Sequence, residues 1–455
     1  MTVFDMGELT SHGGIHPRLR AADRLDPYWE GLWSSGSTAS WVNVTTARMQ
    51  EASGLARMPW HLRMDPGEAW EKWTSMRGWR ERLEVLGLLG SWRTLSAQQL
   101  AAFAGNPTLA RHPVATDAAL ILGLLDQGVF TSGLVRTRLN STAKLLRPAS
   151  GHVFTERVAP LLTYPEQVLV TGGRSWSGGG QFDRHNLLTA ELGLRVAEFC
   201  EVGTVLGESM ATVDDLAGRG IGKRPIEGRR SADALLVRGD GMRIAVELTA
   251  SVTPYFTQKV ENWAKLLAEN SMASSGLTVL FVGAPKPDRD GERQFAKEMR
   301  RAVARAVRKY PGIPGRRAAD RLGVAMWTDY FPGVGKVGSD FLTLQCWRPE
   351  GPKGAPWVKA GMLDFFDTPF EPLDGPAMEA VITNSASVAS APVWLRRGKG
   401  ELALHEVALR QAGFEEIPTP VPRDRRHRGT FVPGQFRGPG KRAKVPPRLR
   451  NVPPA

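Results

Sequence analysis

The chain has 455 residues, of which 42% are hydrophobic and 23% charged, so a soluble globular protein of two or three domains is expected. Its longest apolar runs are far shorter than a membrane span, and its first residues lack the pattern of a secretion signal. Cys200 and Cys346 lie far apart in the sequence and form no C-x-x-C motif, so neither a disulfide framework nor a zinc site is supported. We therefore expect a cytoplasmic protein without a membrane partner.

The net charge of +13 and the sequence pI near 10.0 favour an anionic partner. Residues 423–455 carry ten Lys or Arg against one Asp, so this tail holds most of the excess charge. The tail is also rich in Pro and Gly, which predicts disorder when it is alone. It is either a solubilising tail or a flexible arm on DNA phosphates. The second interpretation assigns DNA contacts to Arg425, Arg426, Arg428, Lys441 and Arg442.

Residues 1–65 are rich in Trp and have no regular period, and we expect them to pack on the domain that follows. The pattern becomes helical over residues 66–171. A first helix is expected from Pro66 to Gly90, because its Trp and Leu residues recur near every 3.6 positions.

Two further helices and a β-ribbon are predicted in the same domain. The second helix begins at Ser96, a good N-cap, and stops at Gly105. The third is expected from Thr116 to Asp126, ended by Gly128, and the apolar and basic stretch "VFTSGLVRTRL" follows it. Three helices and then a ribbon is the order of a winged helix-turn-helix domain.

Such a domain places its third helix in the major groove and its ribbon on phosphates. This interpretation assigns DNA contacts to Arg111, His112, Thr116, Arg136 and Arg138. The alternative is a three-helix bundle that serves as a protein–protein adaptor. The third helix is apolar and poor in base-reading side chains, which argues against strong sequence specificity by this helix alone.

The stretch "GGRSWSGGG", residues 172–180, is predicted to be a flexible linker. Residues 181–350 then show the order α-β-β-α-β-α-β, which predicts a mixed sheet flanked by helices. Residues 351–422 form a Pro- and Gly-rich extension with one convincing helix, "GELALHEVALRQAGF". The chain is thus expected to be α/β, or α+β overall.

The stretch "RRSADALLVRGDGMRIAVELTAS" within this second domain predicts a β-hairpin with two acidic residues. Asp233 opens the first strand, and Glu247 comes late in the second. Period-two geometry puts Glu247 and Thr249 on the same face, and Asp233 can reach the same place across the hairpin. Paired carboxylates are the ligands that a hard cation needs for phosphodiester hydrolysis. The alternative is an unrelated α/β domain in which both acids are structural.

This order of elements and acids resembles the PD-(D/E)xK superfamily, the restriction-endonuclease-like fold, over about residues 181–331. The resemblance implies a Mg2+ site formed by Asp233 and Glu247, with Glu191 on the first helix as a third acidic residue. Superfamily members carry a catalytic Lys where this chain has Thr249. Several members take that Lys from the next helix, which implies Lys259 here. Mg2+ is therefore the expected cofactor if the domain is catalytic.

The helix-turn-helix order followed by "SADALLV", "VELTAS" and "TVLFVG" is similar to the replication-relaxation family of actinobacterial plasmids, phages and integrated elements. This resemblance spans roughly residues 78–331. It implies binding of double-stranded DNA during replication or transfer of a mobile element, with other replication or transfer proteins as partners. Members of that family usually have Asp where this chain has Thr249, and the family name does not guarantee an enzyme.

Three functional hypotheses follow. The leading one is a DNA-binding protein with a winged helix and a nuclease-like domain. The second is a Mg2+-dependent endonuclease or nickase, and the third is a basic structural or assembly protein. The stretch "GRGIGKRP" is not an ATPase loop, because its glycine spacing is short and Arg follows Lys223. Its neighbourhood is instead expected to form a basic DNA-facing loop that includes Arg229 and Arg230.

Overall fold

A computed structural model shows an α/β chain that divides into two compact units. It describes residues 2–111, 114–131, 144–149, 151–171, 176, 178, 182–211, 232–373, 375, 378, 382, 385–386 and 388–396. We call the units the large-sheet unit (residues 1–14, 20–35 and 191–382) and the small-sheet unit (residues 15–19, 36–190 and 383–455).

The strands in chain order are β1 (Val3–Asp5), β2 (Thr38–Val42), β3 (Leu95–Ser96), β4 (Leu125–Thr131), β5 (Lys144–Pro148), β6 (Thr204–Gly207), β7 (Ala234–Val237), β8 (Arg243–Thr249), β9 (Leu277–Gly283), β10 (Leu322–Met326), β11 (Lys336–Gly338), β12 (Gln345–Pro349) and β13 (Trp357–Gly361). The α-helices are α1 (Val44–Ala52), α2 (Pro66–Thr74), α3 (Trp79–Trp92), α4 (Ala97–Ala104), α5 (Thr108–Arg111), α6 (Val114–Ile121), α7 (Gly151–Val153), α8 (Tyr164–Thr171), α9 (Asp183–Phe199), α10 (Pro254–Glu269), α11 (Met272–Ser275), α12 (Glu292–Lys309), α13 (Trp327–Tyr330), α14 (Ser339–Leu342) and α15 (Val393–Arg396).

A seven-stranded mixed sheet in the order β13-β12-β10-β9-β8-β7-β6 forms the centre of the large-sheet unit. The strands β8, β9 and β10 are parallel, and β7 is antiparallel to both β6 and β8. The residues of β7, β9 and β10 are buried throughout, as expected for strands covered on both faces. The prediction of a mixed sheet flanked by helices is confirmed.

The sequence prediction missed β6 and placed the end of its last strand too late in the chain. The stretch from Thr204 to Gly207, expected within a polar link, pairs with β7 as an edge strand. The last predicted strand ends at Met326, and "WTDY" forms the short helix α13. β13, from the predicted extension after residue 350, adds to the other edge of the sheet.

Two helices, α10 and α12, pack against each other and contact β9. α10 begins after Thr253, whose side chain accepts a hydrogen bond from the Phe256 amide. α12 also contacts β10, and its buried face is apolar, including Met299, Val303 and Val307. The connections β8-α10-β9 and β9-α12-β10 are therefore parallel crossovers, in which each helix starts near the carboxyl edge of the sheet.

The Trp-rich start of the chain is divided between the two units. Residues 20–35 belong to the large-sheet unit, and hydrogen bonds hold them there. The Trp29 indole donates to the Phe331 carbonyl at 2.9 Å, and the Trp33 indole donates to the Ala284 carbonyl at 2.7 Å. The expectation that residues 1–65 all pack on the next domain was therefore wrong.

The small-sheet unit has a four-stranded antiparallel sheet in the order β2-β4-β5-β3 and several helices. The predicted first helix is in fact two, α2 and α3, separated at Gly78, where φ is 71°. α3 continues past Gly90 to Trp92, so Gly90 does not end it. A Cβ at Gly90 would lie 2.9 Å from the Trp176 ring, which explains a glycine inside this helix.

The second predicted helix is confirmed as α4. Ser96 caps it and forms a reciprocal capping box with Gln99, and Gly105 ends it in the left-handed region. The third helix, α6, ends at Ile121, because Gly123 turns the chain with φ of 70° and β4 begins at Leu125. The predicted helix end at Gly128 was wrong, since Gly128 pairs with Trp41 inside the sheet.

The boundary between the units lies inside α9, between Ala190 and Glu191, and not in the predicted linker. Trp176, within that linker, stacks on Phe154 in the small-sheet unit with ring centroids 4.4 Å apart. The predicted helix "GELALHEVALRQAGF" and the basic tail lie outside the described residues.

Candidate active site at the edge of the large sheet

Asp233 and Glu247 lie side by side at one edge of the large sheet. Because β7 runs antiparallel to β8, the residue before β7 falls beside the end of β8. The Asp233 amide donates to the Val246 carbonyl at 3.0 Å, and Asp233 Oδ2 accepts a hydrogen bond from the Leu248 amide at 2.8 Å. The sequence-based placement of the two acids in one hairpin is therefore reproduced.

Lys259, on the helix that follows β8, reaches back to both carboxylates. Its ammonium forms an ion pair with Glu247 Oε2 and lies 3.5 Å from Asp233 Oδ1. Trp263, one turn further along α10, donates a hydrogen bond of 2.6 Å to Glu247 Oε1. We call Asp233, Glu247 and Lys259 the acid–lysine cluster.

Burial raises the pKa of Glu247 to about 8, and Asp233 adds to the rise while Lys259 and Trp263 oppose it. For Lys259 burial lowers the pKa, but the carboxylates of Glu247 and Asp233 outweigh it and raise the pKa above its usual value. The Glu247 side chain is 2% exposed and that of Lys259 is 25% exposed, so the cluster opens to solvent on the lysine side. Lys259 therefore stays cationic at neutral pH.

Thr249 occupies the position where the superfamily pattern has its lysine. Its hydroxyl donates to the Ser251 carbonyl at 2.8 Å and so stabilises the turn after β8. The ammonium near the two acids comes from Lys259 instead, from the element that the sequence had suggested as the substitute.

Glu191, predicted as a third catalytic carboxylate, lies in a different cluster. It is fully buried and bonded to Arg24 Nη2 at 3.0 Å and to Arg195 Nε at 3.1 Å. Arg195 also binds Asp26 at 3.0 Å, and Arg24 binds Glu198 at 3.2 Å. These contacts join residues 20–35 to α9, so the catalytic assignment of Glu191 is not supported and a structural one is.

The donor atoms of the acid–lysine cluster match what Mg2+ accepts, namely one or two carboxylates with water in the remaining positions. Glu247 Oε2 is a buried oxygen whose partner among the described residues is the Lys259 ammonium. Within the same residues, no group of three or more His, Cys, Asp or Glu side chains is arranged to hold a metal. Asp233 and Glu247 fit the ion as a pair, provided that the Lys259 side chain moves aside.

The described residues include one predicted DNA contact with a described side chain, Thr116. Thr116 was expected to face DNA, but it is fully buried in α6, so its side chain cannot reach a duplex. The Arg111 side chain and the remaining predicted DNA contacts lie outside the described residues: His112, Arg136, Arg138, Arg229, Arg230, Arg425, Arg426, Arg428, Lys441 and Arg442.

Sequence reasoning missed two groups of residues. Trp263 stands four positions after Lys259, the spacing that puts both on one helix face, and this was the available signal. Asp26 and Arg24 gave no signal, because the residues with which they pair lie far along the chain. Arg195 stands four positions after Glu191, and this spacing could have indicated their ion pair.

Comparisons with protein-family models, with curated proteins and with solved structures found no match to this chain. Among the described residues, no helix has both the length and the apolar character needed to cross a membrane.

Proposed function

We propose that the large-sheet unit is a metal-dependent phosphodiesterase that acts on DNA. The observation that carries this proposal is the meeting of Asp233, Glu247 and Lys259 at one edge of the mixed sheet. Metal-dependent phosphodiester hydrolysis uses adjacent carboxylates that hold the metal ion, and a cationic side chain beside them that stabilises negative charge. Charged side chains are rarely buried together without a function or a structural pairing to compensate for them.

Asp233 and Glu247 would hold the Mg2+, and the ion would supply a water of lowered pKa and neutralise charge on the phosphate. Lys259 has a raised pKa, so its role is electrostatic stabilisation of negative charge and not proton abstraction. Trp263 fixes one oxygen of Glu247 and leaves the other turned towards Lys259. Lys259, which is partly exposed, is the group that contacts substrate from the solvent side.

The topology supports the resemblance to the PD-(D/E)xK superfamily. With β6 included, Asp233 precedes the second strand of the domain and Glu247 lies on the third, which are the positions that the superfamily pattern requires. In the small-sheet unit, β3 comes between α3 and α4 in the chain and pairs with β5 beside β4. This is an order compatible with a winged helix, and we propose duplex binding as the role of that unit.

The cellular setting that we propose is replication or transfer of a mobile element. It rests on the likeness of "SADALLV", "VELTAS" and "TVLFVG" to the replication-relaxation family. These three stretches overlap β7, β8 and β9; Asp233 immediately precedes β7, and Glu247 lies on β8.

A second candidate is DNA binding without cleavage. It is favoured by the Lys259 ammonium, which is already paired with both carboxylates, and by Glu191, whose carboxylate is paired with two arginines. In this case the acid–lysine cluster stabilises the sheet edge, and contact with DNA comes from basic surfaces.

Incubation of supercoiled plasmid with the protein and Mg2+ or Mn2+ separates the two candidates. The phosphodiesterase converts plasmid to nicked or linear forms, and Glu247→Gln lowers the rate by at least about 100-fold, since even residues that only support metal ligands contribute 10- to 100-fold. Glu269→Gln, an exposed glutamate on the same helix as Lys259, is the matched control and keeps the rate. If the plasmid stays supercoiled with the wild-type protein, the phosphodiesterase proposal is wrong and DNA binding without cleavage remains.

A further inference from the structure

The outer face of α12 carries an oblique row of four basic side chains. Arg293, Lys297, Arg301 and Arg305 follow one another at intervals of four residues, and all four are exposed. We call them the α12 basic row. Over its full length α12 has seven Lys or Arg against two Glu, so the helix is strongly positive.

The row is free of acidic partners in the described part of the chain. No ion pair or side-chain hydrogen bond links any of the four to a described residue, whereas Lys309 at the end of the helix is paired with Glu261. Of the two acids on α12, Glu298 accepts from Gln294 and Glu292 accepts from Thr328. Four unneutralised cations on one face are unfavourable without an anionic partner, since like charges at this spacing repel.

The fold places one end of the row at the same edge of the sheet as the acid–lysine cluster. Thr249, at the end of β8, lies opposite Gly283 in β9, which in turn lies opposite Met326 in β10. The Glu292 side chain, at the start of α12, accepts a hydrogen bond from Thr328, two residues after Met326. The row therefore starts at the edge of the sheet that holds Asp233 and Glu247 and runs away from it.

The spacing fits a phosphate backbone. Four residues of α-helix advance about 6 Å, so the row extends about 18 Å, and its four side chains can contact up to about four phosphates of one DNA strand. The aromatic residue of α12 is Phe295, which is only partly exposed and whose ring lies beside Gly283 of β9, so it does not form a stacking platform for unpaired bases on the outer face. These features favour the backbone of a duplex over a single strand.

We propose that the α12 basic row is a sequence-independent track for duplex DNA, which leads the backbone to the edge of the sheet. This inference rests on the proposed function, because it names the surface that delivers substrate to the acid–lysine cluster. The row is rigid, since the opposite face of α12 is buried in the unit.

The test is the salt dependence of duplex binding in EDTA, measured by fluorescence anisotropy with a labelled duplex and a labelled oligo(dT). Arg301→Gln with Arg305→Gln removes two of the proposed contacts. The expected slope of log Kd against log salt is then shallower by about 1.8, and Kd for the duplex at low salt rises at least about tenfold. The control is Lys336→Gln with Lys359→Gln, an equal loss of charge at exposed residues outside the row.

An unchanged slope, with a Kd for the duplex within about twofold of wild type, would overturn the proposed track. A loss of affinity confined to oligo(dT), or an equal loss of duplex affinity in the control variant, would also overturn it. Plasmid cleavage by the same proteins in Mn2+ tests the proposed phosphodiesterase activity separately from the track. A track variant that regains the wild-type rate at saturating protein has lost binding only. A wild-type protein that binds with a steep slope and never cleaves refutes the phosphodiesterase, while the variant's shallower slope still supports the track.

Discussion

Lys259 on α10 and Glu247 on β8 form an ion pair, and Trp263 holds the other oxygen of the same carboxylate. One helix face thus fixes the Glu247 side chain at two points. The consequence is a pre-positioned carboxylate, because its rotamer is set by the fold before any ligand binds. Asp233, from the neighbouring strand, shares the lysine at 3.5 Å.

Lys259→Met removes the cation that the two acids share. We expect the free energy of unfolding at pH 9, where both acids are ionised, to fall by about 1–3 kcal/mol, less than for a fully buried pair because Lys259 is partly exposed. Denaturant titration measures this loss. Lys265→Met is the control, since Lys265 lies 3.9 Å from Glu269 on the exposed face of α10 and should change stability by no more than about 0.5 kcal/mol. Equal losses in the two variants would contradict the role of Lys259.

The raised pKa of Glu247 predicts a pH-dependent stability. Between its ordinary value of 4.5 and about 8, the folded chain holds a proton that the unfolded chain has lost. The free energy of unfolding that Glu247 contributes should therefore fall as pH rises through this window, by about 1 kcal/mol or more. The raised pKa of Lys259 adds no change here, because its contribution is complete below the ordinary lysine value of 10.5.

Urea unfolding of wild type and Glu247→Gln at pH 5 and pH 8 measures this contribution as a difference. The amide that replaces the carboxyl group is neutral throughout, and its oxygen can still accept from Trp263. Wild type should lose stability relative to the variant as pH rises. A wild-type protein that gains stability relative to the variant over this range would contradict the buried environment of Glu247.

Glu191→Gln tests whether Glu191 is structural or catalytic. Loss of its charge leaves Arg24 and Arg195 buried with less compensation, and we expect about 2–4 kcal/mol of destabilisation. The cleavage rate per folded molecule should stay within a few-fold of wild type. Glu68→Gln, in the exposed pair with Lys72, is the control for stability. A folded Glu191→Gln protein that has lost about 100-fold in rate would return Glu191 to the catalytic site.

Ser96→Ala tests the N-terminal cap of α4 in the small-sheet unit. The capping box with Gln99 should make this hydroxyl worth about 1 kcal/mol, seen as a lower midpoint of unfolding. Ser53→Ala, at an exposed hydroxyl that bonds only back to its own helix turn at Met49, should change the midpoint much less. Equal effects would argue against a well-formed α4.

Local signals in the sequence were sufficient for much of this fold. Ser96 and Gly105 mark both ends of α4, and the continuous apolar run of β9 identified a buried strand. The hairpin with Asp233 and Glu247 was predicted for the same reason, since alternation and turn residues act over a few positions.

Features that depend on distant residues could not be predicted. β6 has four residues between Gly and polar neighbours, and pairing with β7 is what makes it a strand. Gly90 lies inside α3 and does not end it, and a glycine stands there because the Trp176 ring, from far along the chain, fills the space beside it. Glu191 matched a catalytic position in the sequence pattern, and its pairing with Arg24, from the start of the chain, depends on the fold.

Cleavage of a labelled duplex by wild type and by Asp233→Asn in Mn2+ tests whether the acid–lysine cluster hydrolyses DNA. Asp233 Oδ2 accepts from a backbone amide, and Asn can keep that bond while losing the charge. We expect metal-dependent cleavage by wild type, abolished by EDTA, and a rate at least about 100-fold lower for a variant that folds and binds duplex as wild type does. Equal rates for the two proteins, or a wild-type protein that binds the duplex and leaves it intact in Mg2+ and Mn2+, would contradict it.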